Sequence, residues 1–491
     1  MVYTLGIDVG SSSVKVSLLN ITDGTCAASA FYPAEEMPIT AIRSGWAEQD
    51  PQEWWNNTKL ALSTVLKEAQ VSKKAIKGIG ISYQMHGLVA LDKEGNVVRP
   101  SIIWADSRAV EIGDKAFEEL GADYCLNNCL NSPGNFTASK LKWVKENEPE
   151  KFESIHKIML PGDYIAYRLT GEMQTTISGL TEGIMWNFKR NELATELLEY
   201  YGFSSNLIPV VVDTFSEQAG ISANIAKELG LAPNTPVSYR AGDQPNNAFS
   251  LNVLEPGEVA ANGGTSGVVY GIGDKALPDK QSRVNTFAHV NHTHERNRLG
   301  VLLCINGTGI LNSWLRRNVA SGMSYPEMND VAMKASVGAD GLLIYPFGNG
   351  AERVLGNANP GAEIKSLNFN IHNLSHVLRA AQEGIAYSFR YGVDIMRNMG
   401  IEAKVVRAGK TNMFLSPLFR QTMSNVIDAK IELYDTDGAL GAARGAAIGA
   451  GLYSSPSEAF SQLTCLEQIT PNGDQQKVLE VYEEWKNKLK F

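Results

Sequence analysis

Two short runs of small, hydroxyl-bearing residues carry the first sign of chemistry. Gly10-Ser11-Ser12-Ser13 separates the strand-like run Tyr3–Asp8 from the alternating Val14–Leu19. Gly264-Thr265-Ser266-Gly267 separates two further strand-like runs within Val259–Gly273. A tight turn of this kind aims successive main-chain N–H groups at one point, and serine or threonine hydroxyls add donors suited to phosphate oxygens. Gly10 removes the side chain that would hold a ligand away from the backbone. Asp8, at the end of the first run, is placed to hold a hydrated Mg2+, a cation that takes one or two carboxylates together with water and phosphate oxygens. Either turn alone is equally a plain hairpin, because glycine and serine dominate turns. Their recurrence about 250 residues apart favours two phosphate-gripping hairpins in related halves, an ATP site built without a helix-based loop.

Asp243 lies in "GDQPNNA" (Gly242–Ala248), read as a Gly-, Pro- and Asn-rich turn between the halves. A carboxylate there can take the proton of an incoming hydroxyl, the part of the base in phosphoryl transfer. An isolated Gly-Asp is more often a simple Asx turn; its position between the halves argues for the base. In "YQMHGL" (Tyr83–Leu88), Gln84 and His86 are expected to alternate outward from a strand end and reach a polyol while Met85 packs. A lone histidine of this type is also commonly structural. "IIWADSR" (Ile102–Arg108) offers Trp104 as a flat wall for a sugar and Asp106 with Arg108 as an ion pair.

Other groups carry less. His289, His292 and His294 crowd together, but no Glu or Cys completes a zinc spacing, so a solvated loop is expected. His372 and His376 are read as a helix-surface pair. "AGKT" (Ala408–Thr411) lacks the leading glycine of a P-loop, since Lys404 stands there, and no GxGxxG follows a strand.

The elements that must position these residues alternate along the chain as strand and helix. Strands are expected at Ile76–Ser82, Leu88–Asp92 and Val97–Trp104, the last two joined as a hairpin through Gly95-Asn96. Asp50, Pro51 and Glu53 mark a helix start, and the apolar spacing from Leu374 predicts a second helix closed by Gly400. "DGALGAARGAAIGAGLY" (Asp437–Tyr453) reads as a small-residue helix capped by Asp437, lying either against a nucleotide or in close core packing. The division is placed near residue 245, giving 1–245 and 246–491, with loop-rich "YRAGDQPNNAFSLNVLEPGE" between them.

With 491 residues, 44% apolar and 20% charged, the chain is long enough for two or three domains with proper cores. Net charge is −9 with no basic run, which argues against a nucleic-acid groove. No apolar run approaches the ~20 residues of a membrane span. The first residues enter a strand pattern directly, and the five cysteines form no CxxC pair. A cytoplasmic enzyme of small molecules is expected, with no nucleic-acid or membrane partner and a homodimer left open.

Taken together, "GIDVGSSSVKV", "WAEQDPQEWW", "GISYQMHGLVALD", "RPSIIWADSR", "LPGDYIAYRLTGE", "AGDQPNN", "ANGGTSGV" and "DGALGAARGAAIGAG" resemble the FGGY carbohydrate kinases, and "QMHG" with "WAEQDP" resembles their xylulokinase branch. The likeness runs in order from about residue 3 to residue 455. It implies an α/β fold of two actin-like (ribonuclease H-like) ATPase domains with a cleft between them. It implies Asp243 as catalytic base and Asp8 as the aspartate associated with Mg2+ and phosphate, both near the metal. Met85 and His86 match the sugar-contacting pair, with Gln84 and Trp104 beside them. Gly10–Ser13 and Gly264–Gly267 match the two phosphate loops, and Gly409 with Asn412 the adenosine loop. ATP and Mg2+ are the implied cofactors and a small sugar the partner. One departure stands out: "AGKTNMFLSPLFRQ" brings Asn412, Met413 and Phe414 to a place that relatives leave open with glycines. The expected reaction is ATP-dependent phosphorylation of a pentulose, D-xylulose to D-xylulose 5-phosphate. The alternatives are a kinase for another ketose or polyol, or a non-catalytic sugar or nucleotide sensor.

Overall fold

The computed structural model describes residues 1–490, and by contact they fall into two compact units. The first holds Met1–Ser250, Phe287–Arg298 and Thr436–Leu463; the second holds Leu251–Thr286, Leu299–Asp435 and the segment from Thr464 onward. A linear division near residue 245 places Thr436–Leu463 in the second half, whereas by contact this segment belongs with the first.

The strands that frame the units are, in chain order, β1 (Tyr3–Val9), β2 (Val14–Asn20), β3 (Cys26–Tyr32), β4 (Ile76–Tyr83), β5 (Phe215–Gly220), β6 (Pro236–Gly242), β7 (Glu258–Gly263), β8 (Gly267–Gly273), β9 (Leu299–Ile305), β10 (Val405–Gly409), β11 (Lys430–Tyr434) and β12 (Glu467–Ile469). The first unit's sheet is ordered β5-β6-β4-β1-β2-β3. β1 pairs antiparallel with β2 and parallel with β4, β4 pairs parallel with β6, and β5 closes the edge antiparallel. The second unit's sheet includes β9-β8-β7-β10-β11-β12 in that order. There β7 is antiparallel to β8 and parallel to β10, β10 is parallel to β11, and β12 closes antiparallel. Six strands of the second sheet therefore repeat the topology of the first, with one further strand at its edge, the recurrence suggested by the two Gly/Ser/Thr turns.

Local signals produced the expected elements where the chemistry was local. The Asp50 carboxylate accepts the Gln52 N–H at 2.9 Å, and the helix runs Pro51–Ala69 behind Pro at its first turn. Leu374–Asn398 is helical, and Gly400 follows it at φ +82°. The Gly95 turn forms at φ +81°, but the second arm shrinks to a single bridge at Val97 and a short strand at Ser101–Ile102. Pro100 has no N–H to give a ladder. "AGDQPNNAFS" is not loop-rich: Gly242 ends β6 and Asp243–Ser250 is helix. Pro245 fits because it falls in the first turn, where its missing N–H costs nothing.

The small-residue helix Gly438–Gly449, capped by Asp437 accepting the Leu440 N–H at 2.9 Å, lies across β1, β2, β4 and β6. Close packing accounts for its composition. A Cβ on Gly6 would stand 1.8 Å from the Ala439 carbonyl oxygen, and one on Gly80 would stand 2.0 Å from that of Ala442. Backbone meets backbone there, and only glycine at positions 6 and 80 permits it. In the second unit Leu374–Asn398 packs on β8 and β9 over a core that includes Phe389, Phe414, Phe419 and Trp485.

The histidine expectations change. His289 is buried and burial pushes His292 down to about 4, while only Thr293–Asn297 form the exposed loop. Among the described residues no group of three His, Cys, Asp or Glu side chains is arranged to hold a metal. His372 precedes its helix, and His376 bonds the Asn373 cap and, through Nε2, Asp340 at 3.0 Å. They serve a helix start rather than a helix surface. No described helix is long and apolar enough to cross a membrane.

Candidate active site

In the first unit the β1–β2 turn is held from beneath. The Gly10 N–H donates to the Ser13 carbonyl at 3.0 Å, and a Cβ on Gly10 would stand 3.1 Å from that oxygen. Gln49 Nε2 donates to the Ser11 carbonyl at 2.7 Å, and the Met37 N–H donates to that of Ser12 at 2.8 Å. Gln49 Oε1 in turn accepts from Trp54 Nε1 and from Gln84 Nε2, both at 3.1 Å. Gln84 is thus 2% exposed and turned inward, against the outward alternation expected of it, because its amide braces the residue that braces the turn. Ser12 is exposed, with Ser11 and Ser13 half-buried.

Asp8 is the next-to-last residue of β1, opposite Lys15 of β2. A Cβ on Gly438 would lie 2.4 Å from Asp8 Oδ2, so the carboxylate rests directly on the first residue of the small-residue helix. Lys15 Nζ bonds Asp437 at 2.7 Å. Burial raises the Asp8 carboxyl and Asp437 adds to this, while Ser82 and Lys15 work against it. Asp243 opens the helix that follows β6. Burial, reinforced by the charge of Asp8, pushes it up to about 7. Some of its surface is open to solvent, but its carboxyl is closely ringed by protein.

The two carboxylates therefore disfavour one another's charge, with Lys15 as a nearby cation. A divalent cation would relieve that repulsion. With two carboxylates rather than three, its remaining ligands would be water and phosphate oxygens, which suits Mg2+.

Met85 packs against Gly242, where a Cβ would fall 2.6 Å from Met85 Cγ. The residue before Asp243 is thereby in contact with the expected sugar segment. His86 adopts a left-handed conformation at φ +62°. Its Nδ1 lies 2.8 Å from the Glu182 carbonyl oxygen, which can only accept, so Nδ1 carries a proton. The ring packs on Phe136 and Phe287 at 4.9 and 5.5 Å. Trp104 is 54% exposed. The expected Asp106–Arg108 pair forms at 2.6 Å, with the Arg108 guanidinium 3.7 Å from the Trp46 ring centre.

Three features of this region had no local signal. Glu182, 1% exposed, places Oε2 2.8 Å from where a Gly242 Cβ would be, and burial keeps its carboxyl far above the ordinary range. Lys140 is wholly buried and donates to the His86 and Ile103 carbonyls. Gly438 meets Asp8 across most of the sequence. Each became visible only through partners distant in the chain.

In the second unit Gly264, Thr265, Gly309, Asn312, Tyr325 and Asn412 line part of a cavity of about 490 Å3. The turn is clasped by the next loop. The Gly309 N–H donates to the Gly264 carbonyl at 3.0 Å, the Ile310 N–H to that of Thr265 at 3.1 Å, and Thr308 Oγ1 donates to both. Buried Glu352 accepts the Asn306 and Gly307 N–H groups at 2.9 and 3.0 Å and fixes the loop in turn. Ser266 is half-buried, and Gly267 begins β8 packed on Phe389 and Thr308. Gly409 ends β10 and its carbonyl accepts the Thr411 N–H. Asn412 sits at the cavity with φ +51°.

The altered loop does not fill the cavity as its side chains suggested. Phe414 turns into the core, its ring 5.4 Å from Phe419, and Met413 lies beneath Gly263 as part of the floor. Burial of both apolar chains outweighs any tendency to project.

Comparison with known proteins places the chain in a family. The N-terminal domain of the FGGY family of carbohydrate kinases matches residues 3–250, and the C-terminal domain of that family matches 259–452. Xylulose kinase of Bacillus subtilis is 29% identical over 474 residues, covering 94% of this chain and 91% of the relative. Two solved structures from Lactobacillus acidophilus share the fold, ligand-bound xylulose kinase and gluconate kinase. Each has a TM-score of 0.89 at 23% identity and spans 99% of this chain, with 98% and 97% of their own lengths covered.

Proposed function

The chain belongs to the FGGY family of carbohydrate kinases, and on that premise we propose that it phosphorylates a pentulose with ATP and Mg2+, D-xylulose being the favoured acceptor. The xylulose kinase relatives support the acceptor; the likeness to gluconate kinase is why the acceptor has to be measured.

The observation that carries the reading is Asp243, a carboxyl raised to about 7 at the end of β6, in contact through Gly242 with Met85 and coupled to Asp8. A base with that affinity takes a hydroxyl proton readily near neutral pH. Asp243 accepts the proton of the sugar hydroxyl as its oxygen attacks the γ-phosphorus and the bond to the β-phosphate oxygen breaks. Met85 and His86 orient the sugar. The turns at Gly10–Ser13 and Gly264–Gly267 hold phosphate oxygens through N–H and hydroxyl donors, and Gly409 and Asn412 bound the adenosine. Asp8 and Asp243 would hold Mg2+, which when bound neutralises charge on the phosphates. The transition state is loose, so fixed donors and position supply most of the acceleration.

A panel of ketoses, aldonates and polyols, assayed by ADP release, tests this. The highest kcat/KM is expected with D-xylulose, and Asp243→Ala is expected to lower turnover by orders of magnitude with ATP binding kept. Faster turnover of gluconate or glycerol overturns the acceptor, and an active Asp243→Ala overturns the base.

A further inference from the structure

Lysine is almost never fully buried unless a carboxylate pairs with it. Lys140, in the helix Thr137–Asn147, is 0% exposed and makes no ion pair within 4.0 Å among the described residues. Its ammonium instead donates to two main-chain oxygens, His86 O at 2.8 Å and Ile103 O at 3.0 Å. These carbonyls belong to the two segments that carry the candidate sugar contacts, "QMHG" and "IIWADSR".

We propose that Lys140 is the positioning residue of the sugar site, tying the His86 and Trp104 segments to one buried cation.

The backbone at His86 shows what the tie does. A left-handed φ of +62° is unfavourable for any side chain with a Cβ and persists only where the surroundings over-determine it. The Lys140 ammonium fixes the direction of the His86 carbonyl, while Glu182 O and two phenylalanine rings fix the imidazole. The second bond holds the peptide just before Trp104, whose side chain is 54% exposed. Methionine would fill the same space without the cost of desolvating a charge, but it would leave the His86 and Ile103 carbonyls without this donor, and each acceptor left unsatisfied carries its own penalty. Burial pulls the ammonium down to about 7; Asp106 and Glu182 oppose this and Arg108 adds to it. The cation is thus held at a cost that its two bonds help to offset.

This inference rests on the sugar-kinase reading for its kinetic arm, so the test has a second arm that needs no substrate. Lys140→Met in the full chain is expected to raise the KM for the accepted sugar about tenfold and leave the KM for ATP within about twofold. In a His86→Ala background the same substitution is expected to raise it no more than about threefold. In the ligand-free protein, hydrogen exchange of residues 84–88 and 102–108 is expected to quicken about tenfold, with the sheet strands unchanged. Should Lys140→Met not fold, Lys140→Gln, which keeps a polar donor on a shorter side chain, is expected to give a shift of the same kind. Equal effects on both KM values, full additivity with His86→Ala, unchanged exchange in both segments, or failure of both variants to fold overturns the assignment. If the wild-type chain phosphorylates no sugar, the kinase reading falls, and the exchange arm still decides Lys140.

Discussion

Gly438→Ala offers a substitution expected to damage chemistry while sparing the fold. The new methyl carbon would lie 2.4 Å from Asp8 Oδ2 and 2.8 Å from its Cγ, with Asn247 Oδ1 at 3.2 Å. An ordinary carbon–oxygen contact needs about 3.4 Å, so the carboxylate must withdraw by about 1 Å. Misplacing a group by about 1 Å near the reacting atoms can cost on the order of 100-fold in rate, or about 2.7 kcal/mol of activation free energy. Stability moves differently. Alanine gains up to ~1 kcal/mol over glycine in a helix. Turning Asp8 off its rotamer costs of order 1 kcal/mol. The two nearly cancel, and the Gly438 backbone has no positive φ to strain. We expect kcat, measured by coupled ADP release at saturating sugar, to fall about 100-fold, with a thermal midpoint within a few degrees of wild type. In an Asp8→Ala background the same change should add almost nothing, since there is no carboxylate left to displace. Near-normal kcat, or an equal loss added to Asp8→Ala, would refute the view that the position of Asp8 governs turnover.

Other substitutions probe the remaining supports. Asp243 has a folded value of about 7 against an ordinary 3.8, so its stabilising contribution is complete below about 4 and lost as pH rises through 7; ligand-free Asp243→Asn should therefore melt higher than wild type at pH 8, with no gain at pH 4, while losing activity. Gly80→Ala sets a methyl 2.0 Å from a helix carbonyl with no side chain to swing away, and urea titration should show a loss of about 3 kcal/mol or more. Glu352→Ala strips the partner from the Asn306 and Gly307 N–H groups, at about 1–3 kcal/mol for each one left unsatisfied, and should raise the KM for ATP about tenfold with the sugar KM unchanged.

Much of the site could be read from neighbours in the chain. The Gly/Ser/Thr turns, Asp8 at a strand end, the Asp50 and Asp437 caps and the helix from Leu374 each depend on residues within a turn or two, so their spacing carries the information. Asp243 was legible as an acid but not as the first residue of a helix, because Pro245 and the asparagines look like a loop until their place in a first turn is known.

Tertiary structure decided the rest. Gln84 turned inward because Gln49, far along the chain, needed its amide. Phe414 left the loop after β10 for the core, and Thr436–Leu463 returned to the first unit because Gly6 and Gly80 make room for its helix. Lys140, one of several charges in its helix, became distinctive only when folding removed its water and supplied carbonyls from residues 86 and 103. Turn and cap preferences act over a few bonds and are written in order along the chain. Desolvation and close approach depend on which distant atoms arrive, and no local pattern records that.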